Sequence, residues 1–371
     1  MSTKHCIDNI PNLKNIKGVS YSPAPSNDSA PPPANYFDTD FTNSCFPLLW
    51  DDANSGRGDV KNLAAIGVNF IHLYNWSVPP APGSTPGNHQ RSHSSFLEKC
   101  GAENINVFVP ISNYFLGEIS KGNGTLVKTQ IAAMVKEVYN GGTTRYGGAA
   151  MWGVGNEYDL QNVYTAADIA TAMEYILDAE SAQNIPSGEL LPISSPVSFG
   201  TFGEPNKPGI VKVKELQTAI NASSLGTTFW STRFVASVNP FNDGTFLANY
   251  IATTFPAAFP DTHYFFSEMG TAIQPNTPST DEAQQASYIL DQLNNTTPSG
   301  NFLGRCVFQF LDQASMKIGT EATFGINKFA GTSTTAPIQP STYVPGGGQN
   351  YTIDALTQKP SYASVKTVYS K

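Results

Sequence analysis

The sequence predicts an α/β fold, a (β/α)8 TIM barrel with long βα loops on its active face, and three observations carry the prediction. Eight short runs rich in β-branched and aromatic residues recur along the chain. Longer segments of helical period separate most of them. Several runs are apolar on both alternating faces, as parallel strands are when helices cover the outside and side chains fill the inside. Eight strands with intervening helices in this order close into a barrel.

The strands are expected at Gly18–Ser22, Val68–Asn75, Asn106–Asn113, Ala150–Glu157, Leu191–Ser198, Arg233–Asn239, Tyr264–Met269 and Arg305–Asp312. Helices are expected at Gly58–Ile66, His93–Glu103, Thr129–Tyr139 and Thr165–Gln183, each ahead of the next strand. Thr165 and Asp168 have capping-box spacing at the start of the last of these, with Asp in place of Glu. Lys212–Ser223, Gly244–Phe255 and Asp281–Leu293 follow, and Pro360–Ser370 closes the chain. Pro23–Leu49, Val78–Ser92 and Gln313–Gln358 exceed what a minimal barrel needs. All three follow strands, which puts them on the catalytic face, where long loops build a cleft. The expectation is one catalytic domain over residues 1–371.

Composition narrows the function classes. Only 13% of the 371 residues are charged, against about 25% in an ordinary globular protein. Asn, Ser, Thr, Gly and Pro fill the surface instead, a composition that favours a secreted or cell-surface protein. The first ten residues lack the apolar core of a signal peptide. A net charge of −8 argues against nucleic acid as a partner, which needs basic patches. No run approaches the roughly 18 apolar residues of a membrane span. Nothing in the sequence sets an oligomeric state. Of the four cysteines, Cys306 lies in an apolar run and reads as a buried free thiol, while Cys45 and Cys100 could bridge two loops.

Two glutamates carry the chemical signal. Ala-Ala-Met-Trp-Gly-Val-Gly-Asn-Glu closes on Glu157, and His-Tyr-Phe-Phe-Ser-Glu-Met-Gly contains Glu268. A β-rich run that ends on a carboxylate delivers an acid to the C-terminal edge of a barrel. Two such acids suit a reaction needing one carboxyl protonated and the other ionised, of which glycosidic bond cleavage is the leading case.

These residues also carry a resemblance. Gly155-Asn156-Glu157 on the fourth strand and Phe265-Phe266-Ser267-Glu268 on the seventh resemble the acid/base and nucleophile signatures of the clan A retaining glycoside hydrolases. Phe-Phe-Ser-Glu-Met-Gly, the opening Gly-Val-Ser-Tyr-Ser-Pro and Ile66-Gly67-Val68-Asn69 with His72-Leu-Tyr74 are similar to the family 72 β-1,3-glucanosyltransferases. Val154-Gly155-Asn156-Glu157 is similar to the family 17 β-1,3-glucanases, and Lys359-Pro360-Ser361-Tyr362 resembles the Lys-Pro-Ala-Tyr that precedes the last helix in many clan members. The chain departs from family 72 at Asn239-Pro240-Phe241 and at Met269. The resemblance implies Glu268 as nucleophile, Glu157 as acid/base and Asn156 as the partner of a sugar 2-hydroxyl. It also implies that Asn239, at the end of strand six, bonds the nucleophile.

Further substrate-binding candidates come from strand ends. His72 and Tyr74, with Asn75, end strand two, and Asn113 and Tyr114 end strand three. Tyr21 on strand one could stack on a sugar, bind its hydroxyl or pack in the core. Gln309 and Asp312 occupy strand eight, where an aromatic platform is commoner and Phe308 or Phe310 could supply it instead. Trp76 and Trp50 could stack on a sugar face or pack beneath a loop. Trp152, well inside strand four, is expected in the core.

Other chemistries lack their signatures. His89 and His93 stand four apart, but in a Ser/Asn-rich stretch where a metal site is not expected. There is no Gly-x-Ser-x-Gly elbow, phosphate loop or dinucleotide fingerprint, and no cofactor is implied. The expected partner is an oligo- or polysaccharide. The leading reading is a retaining hydrolase or transglycosylase of a β-glucan-like polymer, with β-1,3-glucan the first candidate. Its competitors are a clan A hydrolase of mannan, galactan or cellulose, and a carbohydrate-binding barrel without catalysis.

Overall fold

The computed structural model describes residues 5–26, 40–44, 46–76, 92–313, 322–337 and 350–371. Eight parallel strands pair in chain order: β1 (Ile16–Ser20), β2 (Phe70–His72), β3 (Asn106–Ile111), β4 (Ala149–Val154), β5 (Ile193–Ser198), β6 (Phe234–Asn239), β7 (Tyr264–Met269) and β8 (Phe302–Val307). β8 returns to β1 with Gly18 beside Cys306, so the expected (β/α)8 barrel is formed. This seam is tight. A Cβ on Gly18 would stand 2.3 Å from the Cys306 sulfur, so the buried thiol requires glycine opposite it.

The lumen is filled rather than open. Phe70, Phe108 and Phe265 meet there with ring centroids 6.0, 5.9 and 5.7 Å apart, although β7 is not a neighbour of β2 or β3 in the wall. Such tilted and edge-on pairs contribute about 0.5–1.5 kcal/mol each beyond their burial. The outer layer is helical. In the helix Ala166–Ala182 the Asp168 carboxylate accepts from Thr165 N at 2.8 Å and from Thr165 Oγ1 at 2.9 Å, the expected capping box. Its apolar stripe, including Ile169, Met173 and Ile176, is buried. Trp152 is buried as expected, but it faces this helix and donates Nε1 to Glu180 Oε1 at 3.4 Å.

Several boundaries differ from the sequence expectation. β3 stops at Ile111, and Asn113 opens a helix, Asn113–Ser120, that the apolar run disguised. β4 stops at Val154 because Gly155 turns left-handed, with φ +69°. The eighth run is displaced to Phe302–Val307, although apolar residues continue to Leu311. Beyond Val307 the backbone still bonds the wall, through Phe308 N to Met269 O at 2.8 Å and Phe310 N to Ser20 O at 2.9 Å, and also pairs with the segment Phe324–Asn327, through Ile326 N to Gln309 O at 2.9 Å and Asn327 N to Phe310 O at 3.0 Å.

The segment Gln313–Gln358, expected as loop, contains the antiparallel pair β9 (Asn327–Pro337) and β10 (Asn350–Gln358). Its β9 strand is exposed from Ala330 to Thr335 and rich in Thr, so no apolar alternation announced it. Phe329 and Leu356 pack its base on the barrel core. Lys359 Nζ donates to Asp312 Oδ1 at 2.8 Å beneath it, so Asp312 anchors the hairpin. Most of the loops expected at Pro23–Leu49 and Val78–Ser92, with Cys45 and His89, lie outside the described residues. Cys100 and Cys306 are buried free thiols. The expected Cys45–Cys100 bridge is therefore not formed, since Cys100 lies on the apolar face of the helix Ser94–Ala102, among core side chains.

Candidate active site

The C-terminal ends of β2, β3, β4 and β7 converge on a cleft of about 330 Å³ that includes both Glu157 and Glu268. Glu157 stands three residues beyond β4, at the start of a short 3-10 turn, Tyr158–Leu160. It occupies the left-handed region, φ 52° and ψ 50°, a sparsely populated conformation for a side chain with a Cβ. Two features hold it there. Its N–H donates to Pro196 O on β5 at 2.9 Å, and Asp159 accepts from Ser198 N at 2.9 Å. Gly155 just before it has no room for a Cβ, which would lie 2.5 Å from Leu116 Cδ1.

Glu268 lies within β7 and is 5% exposed. Phe265 points into the lumen and Phe266 toward Tyr250 and Phe302 on the outside. The β7–β8 register shifts between Phe266 and Met269, across the stretch that carries Glu268. Such irregularities re-aim side chains next to active sites.

Neutral donors among the described residues reach both carboxyls. Tyr74 Oη donates to Glu268 Oε1 at 2.8 Å, and Asn156 Nδ2 reaches the same oxygen at 3.3 Å. Asn239 Nδ2 donates to Glu157 Oε1 at 3.1 Å. Asn239 thus bonds the acid/base candidate, not the nucleophile as the resemblance implied, because the amide of Asn156 lies between it and Glu268. Burial, then the charge of Glu268, holds the Tyr74 phenol well above its ordinary pKa, so it remains a donor. Burial pushes His72 down to about 4 against the opposing bond to the Ser267 carbonyl. The imidazole is therefore neutral, with Nδ1 2.9 Å from Ser267 O.

Of the other candidates, His72, Tyr74, Asn113, Asn156 and Gln309 all line the cleft. Asn113 acts on the backbone: its Oδ1 accepts from Asn156 N at 2.7 Å and its Nδ2 donates to Asn156 O at 3.0 Å. Gln309 is 1% exposed, and its Nε2 meets no hydrogen-bond acceptor among the described residues. Phe308 lines the cleft, whereas Phe310 packs on Tyr21 at 5.3 Å.

Tyr21, Trp76 and Trp50 are not brought to this cleft. The Tyr21 hydroxyl donates to the buried Asp59 at 2.9 Å, because the strand carries the ring outward beneath Phe310. Trp76 stacks on His93 at 3.8 Å and is 1% exposed, and Trp50 packs edge-on against Phe96. His93 itself is buried between Asp40 Oδ2 at 2.5 Å and Glu137 Oε2 at 2.9 Å. Burial works against its charge, but the two carboxylates outweigh it and raise its pKa to about 9.

Sequence reasoning missed Ser22, Gln161 and Gln313, which also line the cleft. All three lie on irregular backbone, where no periodicity marks which side chain turns inward. Tyr114 also lines it, at the first turn of a helix rather than a strand end.

No protein-family model matches the chain. No curated protein matches it either. Solved structures do match its fold. A glycoside hydrolase family 2 β-galacturonidase from Eisenbergiella tayi, bound to galacturonate, superimposes with a TM-score of 0.52 at 14% identity, over 96% of this chain and 51% of that one. This chain spans about half the length of the first structures it matches. A structure from work on two plant β-glucan endohydrolases gives a TM-score of 0.52 at 16% identity, over 84% of this chain and 96% of that one. A glucosidase from Croceicoccus marinus gives 0.56 at 12% identity, over 96% and 66%. The barrel is of the kind these glycoside hydrolases have.

Proposed function

We propose that the chain is a retaining β-glycoside hydrolase or transglycosylase acting on a β-glucan-like polysaccharide, with residues 1–371 as one catalytic unit. The observation that carries this reading is the pair Glu157 and Glu268, opening from β4 and β7 into one cleft. In the first step a Glu268 oxygen forms a bond to the anomeric carbon as the glycosidic C–O bond breaks, and the Glu157 proton passes to the departing oxygen. In the second, Glu157 takes a proton from an incoming water or sugar hydroxyl, whose oxygen displaces Glu268 from the anomeric carbon. Two inversions give net retention. Tyr74 and Asn156 steady the Glu268 carboxylate, and Phe308 offers an apolar face for a sugar ring.

The buried amide of Gln309, with its unmet donor, is suited to a sugar hydroxyl, which would satisfy it at once. The plant β-glucan endohydrolase, matched over nearly its whole length, supports β-glucan as the first substrate to try.

Laminarin, cellulose, mannan, galactan and chitin oligosaccharides form the test panel, with the anomeric configuration of the first-formed product read by proton NMR. The expected result is a β-anomer product, lost by about 100-fold or more in Glu157→Gln and further in Glu268→Gln while both variants stay folded. An α-anomer product, or near-normal turnover in either variant, refutes the mechanism. Products longer than the substrate identify transfer.

A further inference from the structure

Asn239 stands at a crossing. Its Oδ1 accepts from Ser267 Oγ at 2.6 Å, and its Nδ2 lies 3.1 Å from Glu157 Oε1 and 3.2 Å from Asn156 Oδ1. Asn156 then reaches Glu268 Oε1 with Nδ2 at 3.3 Å. An amide has a donor end and an acceptor end, so the orientation of one dictates that of the next. Ionised Glu268 only accepts, so Asn156 must offer it Nδ2 and turn Oδ1 toward Asn239. Asn239 must answer with its own Nδ2, which also meets Glu157 Oε1. Its Oδ1 is left needing a donor, and the Ser267 hydroxyl provides one.

Asn239 is 1% exposed and Ser267 fully buried, so bulk water does not substitute for either. The consequence falls on Glu157. Its Oε1 already faces an N–H, and a proton placed on that oxygen would confront another hydrogen. The acid form therefore carries its proton on Oε2.

Resting on the retaining assignment above, we propose that Asn156, Asn239 and Ser267 form a directional relay through which ionised Glu268 holds the acidic proton of Glu157 on Oε2. Asn239 and Ser267 are positioning residues in this scheme and need no contact with substrate. Without the Ser267 donor the Asn239 carbonyl is left unsatisfied and only Asn156 Oδ1 opposes a turn of its amide, so the amide turns over more readily. Its carbonyl would then draw the proton of Glu157 to Oε1, away from the leaving group. The relay also explains why β7 places a serine directly before its glutamate: the hydroxyl serves the amide of the neighbouring strand β6.

Other titratable groups face the pair. Tyr74, Tyr164 and Cys306 are each raised by burial first, His72 is lowered by burial, and Asp159 is engaged by Ser198.

The test compares two aryl β-glycosides of the sugar that the parent enzyme cleaves in the polysaccharide panel. The dinitrophenyl glycoside leaves without acid assistance, whereas the methylumbelliferyl glycoside is a poorer leaving group. Asn239→Ala is expected to lower kcat/KM about 100-fold on the poorer leaving group and only a few-fold on the dinitrophenyl glycoside. Ser267→Ala should show the same split at about 10-fold, and in both the basic limb of the kcat/KM profile should move to higher pH, since a donor to the carboxylate is lost. Equal losses on the two glycosides, or no loss, overturn the relay while leaving the catalytic pair intact. A parent protein inert on the whole panel and on laminaribiosides of both aryl groups overturns the catalytic reading and the relay with it.

Discussion

Strand β4 serves two glutamates, one buried and one half-buried, in opposite ways. On its outer side, Glu180 is 2% exposed and receives both a cation and neutral donors: Arg233 Nη2 at 3.2 and 2.9 Å, Tyr139 Oη at 3.1 Å and Trp152 Nε1 at 3.4 Å. At its C-terminal end, Glu157 meets the amide of Asn239, and across the cleft Glu268 meets the phenol of Tyr74 and the amide of Asn156. A guanidinium holds a carboxylate in place through charge and hydrogen bonds together. Neutral donors orient a carboxylate yet let it exchange a proton or a bond. The first arrangement fastens a helix to a barrel, and the second permits turnover.

The comparison can be broken from either side. Arg233→Met should destabilise the protein by about 3–5 kcal/mol, since Glu180 is left buried without its counter-ion. Urea denaturation measures that loss, while kcat at temperatures where the variant is folded should stay near the parent's. A large kcat defect with little loss of stability would mean that the outer network belongs to the site.

A second ion-paired region allows a pH test. His93 has a folded-state pKa of about 9, above its ordinary 6.5, through Asp40 and Glu137. A raised histidine pKa gives stability that is fully present below about 6.5 and lost as pH rises through about 9. Thermal unfolding should therefore show stability declining across that window, by on the order of 2–3 kcal/mol, and His93→Gln should flatten the decline. An unchanged slope in the variant would remove His93 as its cause.

The smallest expected effect on stability sharpens the other half. Tyr74→Phe removes one neutral donor from Glu268, whose Oε1 keeps the Asn156 amide, and should cost about 1 kcal/mol of stability but about 10- to 100-fold in kcat/KM. Paired denaturation and kinetic measurements decide it. Equal damage to both would erase the distinction between the two regions.

The legible parts of the molecule were those written in short-range pattern. β7 lies where expected, at Tyr264–Met269, because its ends coincide with the ends of the apolar run. The capping box at Thr165 and Asp168 was legible for the same reason, as it spans three residues. β8 was misplaced because its apolar run continues past Val307 with backbone bonds divided between the wall, at Met269 and Ser20, and the segment that leads into β9. Tyr21 and Trp76 could be read as sugar-facing or as packed, because which way a strand-end ring points depends on Asp59, Phe310 and His93, all distant in sequence. The bond from Asn239 to Glu157 spans 82 positions and could not be read from either run alone.

By itself the sequence determined the eightfold alternation, and with it the barrel and the delivery of Glu157 and Glu268 to the ends of β4 and β7. Hydrophobic period and strand propensity are local, and topology follows from their order. Only the tertiary structure decided the rest: the left-handed turn that aims Glu157, the register shift beside Glu268, and the amides that join them. Those depend on which side chains meet across the barrel mouth, and that is settled by closure of the sheet, not by neighbours along the chain.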